Sequence, residues 1–108
     1  MPAGREPEAR AFYQEILGIP EVPKPLSLNE RGGCWFIQGD LKIHLGIDPD
    51  FRPARKAHPA LIVDDLTALK AVLTAAGHPF RMDDELAGYH RIYVDDPFGN
   101  RIELMEVR

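Results

Sequence analysis

Cys34 is the only cysteine in the 108 residues. A lone thiol excludes an internal disulfide framework and a zinc site built from cysteines. A surplus of positive charge is also missing. Thirteen Lys and Arg stand against seventeen Asp and Glu, for a formal charge of −4. A mildly acidic chain without a basic run does not suit nucleic acid or an anionic membrane surface. No apolar run approaches the ~20 residues that cross a bilayer. The opening MPAGREPEAR lacks the apolar core of a secretory signal, so the expected location is cytoplasmic. What is present is 44% hydrophobic and 28% charged residues, the balance of a small globular domain. Ten prolines and nine glycines predict short elements with frequent turns.

Residues 6–17 predict a helix. Ala9, Phe12, Tyr13, Ile16 and Leu17 fall on one stripe. Pro7 sits where a missing N–H costs little, and Glu6 and Glu8 suit the positive helix end. Gly18 stops the helix and Pro20 prevents its continuation. Residues 19–31 carry three prolines and read as a short extended piece with an irregular turn. Residues 34–38 and 41–47 predict two strands around Gly39-Asp40, the second alternating Leu41, Ile43, Leu45 against Lys42, His44, Gly46. Residues 48–56, with two prolines and three basic residues, read as a linker at the half-way boundary. An apolar strand over 58–63 opens the second half. A helix capped by Asp64 or Asp65 runs to about Ala76, with Leu66, Leu69, Val72, Leu73 and Ala76 expected inward. Strands at 80–82 and 90–94, a turn at 95–100 and a last strand at 101–107 complete the chain.

The halves echo each other. Gly18 and Gly77 stand 59 positions apart, and so do Ile43-His44-Leu45 and Ile102-Glu103-Leu104. The same offset puts the counterpart of the second half's opening strand before Met1. The first half is therefore expected to enter at the turn before its helix, without an opening strand.

His44 and Glu103 are paired by this repeat. Each lies mid-strand between apolar residues and so points away from the helix-covered face. His58 begins a strand in the same half as Glu103. Two histidines and a glutamate on one sheet face suit a divalent ion such as Zn, Mn, Fe, Co or Ni, with positions open for substrate. Each residue also has a plainer reading. His44 suits a hydrogen-bonded pocket lining, His58 an ordinary strand start, and Glu103 a solvated partner of Arg101. His78 and His90 have surface-like neighbours and are read as non-functional. Cys34 reads as a small core residue, with no nearby base to make a thiolate. If Gly39-Asp40 is a two-residue turn, Trp35 lies opposite His44 and lines the same face. Arg52, Arg55 and Lys56 precede His58. They suit an anionic substrate group, although such a cluster is more often a solvated loop.

AFYQEILG, KIHLGI, AHPALIVDDL and DPFGNRIELMEV together resemble the glyoxalase/bleomycin resistance protein/extradiol dioxygenase family, the vicinal oxygen chelate superfamily. The resemblance covers nearly the whole chain. It implies an α+β fold of two βαβββ modules whose mixed sheets form a cup. That makes one domain over residues 1–108, with module one at about 1–50, module two at about 57–108, and the first strand of module one missing. It implies one divalent metal ion (Zn, Ni, Mn, Co or Fe(II)) held by His44, His58 and Glu103. In such enzymes a ligand or neighbouring carboxylate moves the proton, a part open to Glu103, while Trp35, Arg52 and Arg55 are the candidate substrate contacts read above from the hairpin and the linker. The implied activity is that of a glyoxalase-like lyase or a dioxygenase, with the metal as Lewis acid on vicinal oxygens. The alternative is metal-free drug binding of the bleomycin-resistance kind. A small-molecule substrate and a homodimer are the implied partners, the latter because a missing strand leaves an open sheet edge.

Overall fold

The computed structural model describes residues 1–108 as two compact units, Met1–Arg52 and Pro53–Arg108. The division falls inside the proline-containing 48–56 segment. No helix is long and apolar enough to cross a membrane.

In the first unit, one α-helical turn, α1 (Glu6–Ala9), continues as π-helical turns over Arg10–Ile16. The expected helix is present but wider in its second part. Leu17 N donates to Phe12 O at 3.0 Å, five residues back. Ala9, Phe12 and Tyr13 are buried as the stripe predicts. The 19–31 segment is more ordered than its prolines suggest. It holds a two-residue strand, β1 (Glu21–Val22), and a single helical turn, α2 (Leu26–Asn29). β2 (Cys34–Gln38) and β3 (Leu41–Leu45) form the expected hairpin, with Gln38 opposite Leu41 across the Gly39-Asp40 turn. The sheet order is β1-β2-β3.

Cys34 and Phe36 are buried on the helix side, where Tyr13 lies 5.3 Å from the Phe36 ring. Period 2 then turns Trp35 and His44 to the other face. Burial pushes the Cys34 thiol up to about 11, helped by the Glu21 carboxylate and opposed by Arg10. Cys34 is therefore expected to resist iodoacetamide at pH 8 in the native chain and to react once urea unfolds it. Rapid native labelling, followed by mass spectrometry, would contradict this.

No strand precedes α1. Met1 instead donates its amine to Gly46 O at 2.7 Å, and its carbonyl accepts from Asp48 N at 3.0 Å. That is the bonding of one parallel-strand residue beside the chain that continues β3.

The second unit is β4 (Ala60–Ile62), α3 (Leu66–Ala75), β5 (Phe80–Arg81), β6 (Tyr89–Asp95) and β7 (Arg101–Val107), a complete βαβββ. The sheet order is β4-β7-β6-β5, with β4 parallel to β7 and the other pairs antiparallel. Asp65 caps α3, its carboxylate accepting from Ala68 N at 2.9 Å. Leu66 and Leu73 bury fully, whereas Val72 stays 43% exposed and Ala76 is also exposed. At ~100° per residue Val72 stands about a third of a turn round from Leu66, so the expected stripe was too wide. Ile92, Val94, Ile102 and Leu104 fill the core beneath α3. Glu106 points the same way and accepts from Leu66 N at 2.9 Å.

Asp96 shapes the β6–β7 turn from a buried position. Its Oδ1 accepts from Phe98 N at 2.9 Å and Asn100 N at 2.8 Å, and its Oδ2 from Asn100 Nδ2 at 2.8 Å. The turn fixes the register, so Asp95 faces Arg101 and Tyr93 faces Glu103. In the first unit Trp35 faces His44. Each unit thus sets an aromatic ring across from its candidate residue.

Candidate metal and catalytic site

β7 alternates. Ile102, Leu104 and Glu106 face α3, so Arg101, Glu103 and Met105 face away from it. β6 sends Arg91 and Tyr93 to that same face. Glu103 is only 6% exposed, and a carboxylate so placed needs partners. His58 Nε2 lies 3.0 Å from Oε1, and Arg91 Nη1 lies 3.4 Å from Oε2. Arg91 also donates to the Tyr93 hydroxyl at 2.9 Å and to Asp84 O at 2.8 Å. The Tyr93 ring meets the His58 ring edge-on at 5.3 Å. Glu103 is therefore neither solvated nor paired with Arg101.

His58 sits just before β4 rather than within it. Its Nδ1 donates to Lys56 O at 2.8 Å, because a carbonyl can only accept. That bond fixes the ring and turns Nε2 toward Glu103. The Lys56 carbonyl and then the Glu103 carboxylate hold the His58 pKa above its ordinary value, with burial and Arg101 opposing them. The resulting stability is complete below the unfolded histidine value of about 6.5 and is lost as pH rises through the folded value. The His58 ring is expected to titrate above that unfolded value in a proton NMR series, and to move down in Glu103→Gln. A midpoint at or below the unfolded value would contradict the pairing.

The same two atoms fit a metal. Nε2 bears a lone pair once His58 is neutral, and its other nitrogen is tied to a backbone carbonyl, the usual support for a ligating histidine. Two ligand atoms bound at about 2.1 Å to one ion stand roughly 3 Å apart, which matches their separation. Imidazole and carboxylate together suit borderline divalent ions. The pair provides two donors. Neither unit gathers three His, Cys, Asp or Glu side chains as a cluster.

The other expected site residues fall as follows. His44 and Trp35 belong to the first unit and stack face to face, with ring centroids 3.7 Å apart and planes 4° apart. Arg52, the last residue of the first unit, and Arg55, near the start of the second, are exposed, and their side chains form no hydrogen bond or ion pair. His78 binds the backbone, Nε2 to Asp95 O at 2.7 Å. Sequence reasoning missed Arg91 and Tyr93. Counting back across the DPFGN turn places Tyr93 opposite Glu103, and Arg91 lies one pleat further along the same face.

A βαβββ unit, one helix packed on a four-stranded mixed sheet, is the module that the vicinal oxygen chelate resemblance implied. The family profile of the Glyoxalase/Bleomycin resistance protein/Dioxygenase superfamily matches residues 2–104, and the chain belongs to that superfamily. It is similar to a glyoxalase family protein from Bacillus anthracis, at 47% identity and a TM-score of 0.95, covering 100% of this chain and 88% of that one. It shares the fold of lactoylglutathione lyase from Agrobacterium tumefaciens, at 22% identity and a TM-score of 0.72 over 98% of this chain and 88% of that one. It also shares that of a fosfomycin resistance protein from Listeria monocytogenes, at 17% identity and a TM-score of 0.74 over 94% and 84%. Among curated proteins none matches the sequence.

Proposed function

We propose that the chain is a metal-dependent enzyme of glyoxalase or dioxygenase type, acting on a small molecule with vicinal oxygens. The observation that carries this reading is the His58–Glu103 pair at 3.0 Å, its carboxylate buried and its half-buried imidazole oriented from Lys56 O. His58 Nε2 and Glu103 Oε1 are the atoms that would hold the ion. When bound, the metal supplies Lewis-acid polarisation of the substrate oxygens. The chain's own groups do the rest. Glu103 takes and returns the substrate proton through Oε2, the oxygen that Arg91 now contacts. Arg91 holds that oxygen in place and tempers its charge. Tyr93 forms one wall and keeps His58 from turning. His44 stays a candidate donor, and Trp35, Arg52 and Arg55 candidate substrate contacts, on residue type. A homodimer belongs to the same proposal.

A second reading is metal-free small-molecule binding, favoured by one observation. Arg91 already neutralises Glu103, so the pair is satisfied without an ion. The arginines on this face suit anions better than the cationic drugs of the bleomycin-resistance reading.

The deciding experiment reloads stripped protein with Zn, Ni, Mn, Co or Fe(II) and assays hemithioacetal isomerisation and catechol ring cleavage. Turnover with one metal is expected, falling about a hundredfold or more in Glu103→Gln. No turnover with any metal, or a Glu103→Gln variant as active as the parent, would overturn the enzyme reading.

A further inference from the structure

Arg81, Arg91 and Arg101 share the sheet face away from α3, and they differ in what they already bind. Arg81 gives both of its terminal nitrogens to Asp95, at 3.1 and 3.2 Å. Arg91 is committed to Asp84 O, the Tyr93 hydroxyl and Glu103, as described above. Arg101 has neither a hydrogen bond nor an ion pair. Asp95 stands directly across from it in the ladder but belongs to Arg81. With Arg81 balanced by Asp95 and Arg91 by Glu103, Arg101 is an uncompensated positive charge.

Its position gives that charge a use. The Arg101 guanidinium carbon lies 5.6 Å from the centre of the Tyr93 ring, and Arg91 lies 5.5 Å from it. The same ring meets His58 at 5.3 Å. Arg101 and His58 therefore contact the same Tyr93 ring, His58 being the partner of Glu103. Arg101 is half-buried, and its contact with Tyr93 steadies the guanidinium without using its N–H groups. A planar fork of unused donors matches the paired oxygens of a carboxylate or phosphonate. A neutral diol would leave the charge as unpaired as before.

We infer that Arg101 is a specificity-determining residue that selects anionic substrates, compounds bearing a carboxylate or phosphonate beside their vicinal oxygens. The inference rests on the reading of His58 and Glu103 as the reacting centre and adds the class of molecule brought to it.

The test uses metal-free protein labelled with 15N at arginine, with methylphosphonate as the probe and propane-1,2-diol as the neutral control. A saturating shift of the Arg101 Nε–H signal is expected with methylphosphonate and none with the diol. Affinity is expected to fall about tenfold or more in Arg101→Gln and less in Arg101→Lys, which keeps a point charge. Circular dichroism checks that both variants fold. No saturating shift, equal affinity in folded Arg101→Gln, or equal binding of the diol would overturn the inference. Mn(II) binding, followed by its paramagnetic resonance signal, separates the two ideas. If Mn(II) binds and the phosphonate does not, the Arg101 assignment fails and the enzyme reading stands. If the phosphonate binds and Mn(II) does not, Arg101 keeps its role and the metal reading fails.

Discussion

Gly33→Ala is expected to destabilise the first unit by about 4 kcal/mol or more, a loss beyond that of most single substitutions. Gly33 has φ +83°, and a Cβ added there would lie 2.0 Å from Leu45 O and 3.1 Å from Leu45 C. Those are backbone atoms at the end of β3, and they cannot swing aside as a side chain would. Moving them separates β2 from β3 where Cys34 pairs with Leu45. The shift also disturbs the Gly33 N–H, which donates to Glu6 Oε1 at 3.2 Å and ties the hairpin to α1. Gly39→Ala is the control. Gly39 also has a positive φ, +58°, but its added Cβ meets nothing within 4 Å. Its cost is expected to be about 1 kcal/mol. Urea unfolding of both variants measures the difference, and a Gly33→Ala chain as stable as Gly39→Ala would contradict the close approach.

Asp96→Ala is expected to cost about 3 kcal/mol and to disturb the site without touching it. The substitution removes an acceptor from two backbone N–H groups and one side-chain amide around a buried position. Buried donors left unpaired bear the full penalty of lost solvation. Asp96→Asn keeps an Oδ1 acceptor and is expected to recover about half of the loss. The turn sets which β6 residue faces Glu103, so loosening it frees Tyr93 and Arg91 to slip. The His58 titration is therefore expected to move toward its unfolded value in Asp96→Ala while staying close to the parent in Asp96→Asn. Unchanged stability in Asp96→Ala would show that the turn is held by other contacts.

Local chemistry made much of this architecture legible in the sequence. The Gly39-Asp40 turn placed Trp35 opposite His44, and the two rings stack. DPFGN placed the last hairpin, and Asp65 capped its helix where expected. The failures have physical causes. Widening of the first helix depends on which backbone bond each residue finds in the packed state, and no residue between Arg10 and Ile16 announces it. Between the prolines at 20, 23 and 25 the short extended piece was legible and is β1, but its pairing with Phe36 and Trp35 was not, nor was the helical turn α2. Val72 and Ala76 looked inward on a stripe drawn too broadly. At the site, His58 and Glu103 were legible as residue types, and their meeting follows from β4 lying beside β7. Arg91 was not. Its hold on Glu103 comes from a long side chain reaching diagonally across a sheet, and alternation fixes only the face from which it starts.

Metal content of the whole chain, stripped and then reloaded with Mn(II), Co(II), Zn(II), Ni(II) or Fe(II), tests the central claim most directly. Elemental analysis is expected to find about one ion per chain in the parent and its loss in folded His58→Ala. A parent that retains no ion, or a His58→Ala chain that retains it equally, would contradict the assignment of His58 and Glu103 as the metal-holding pair.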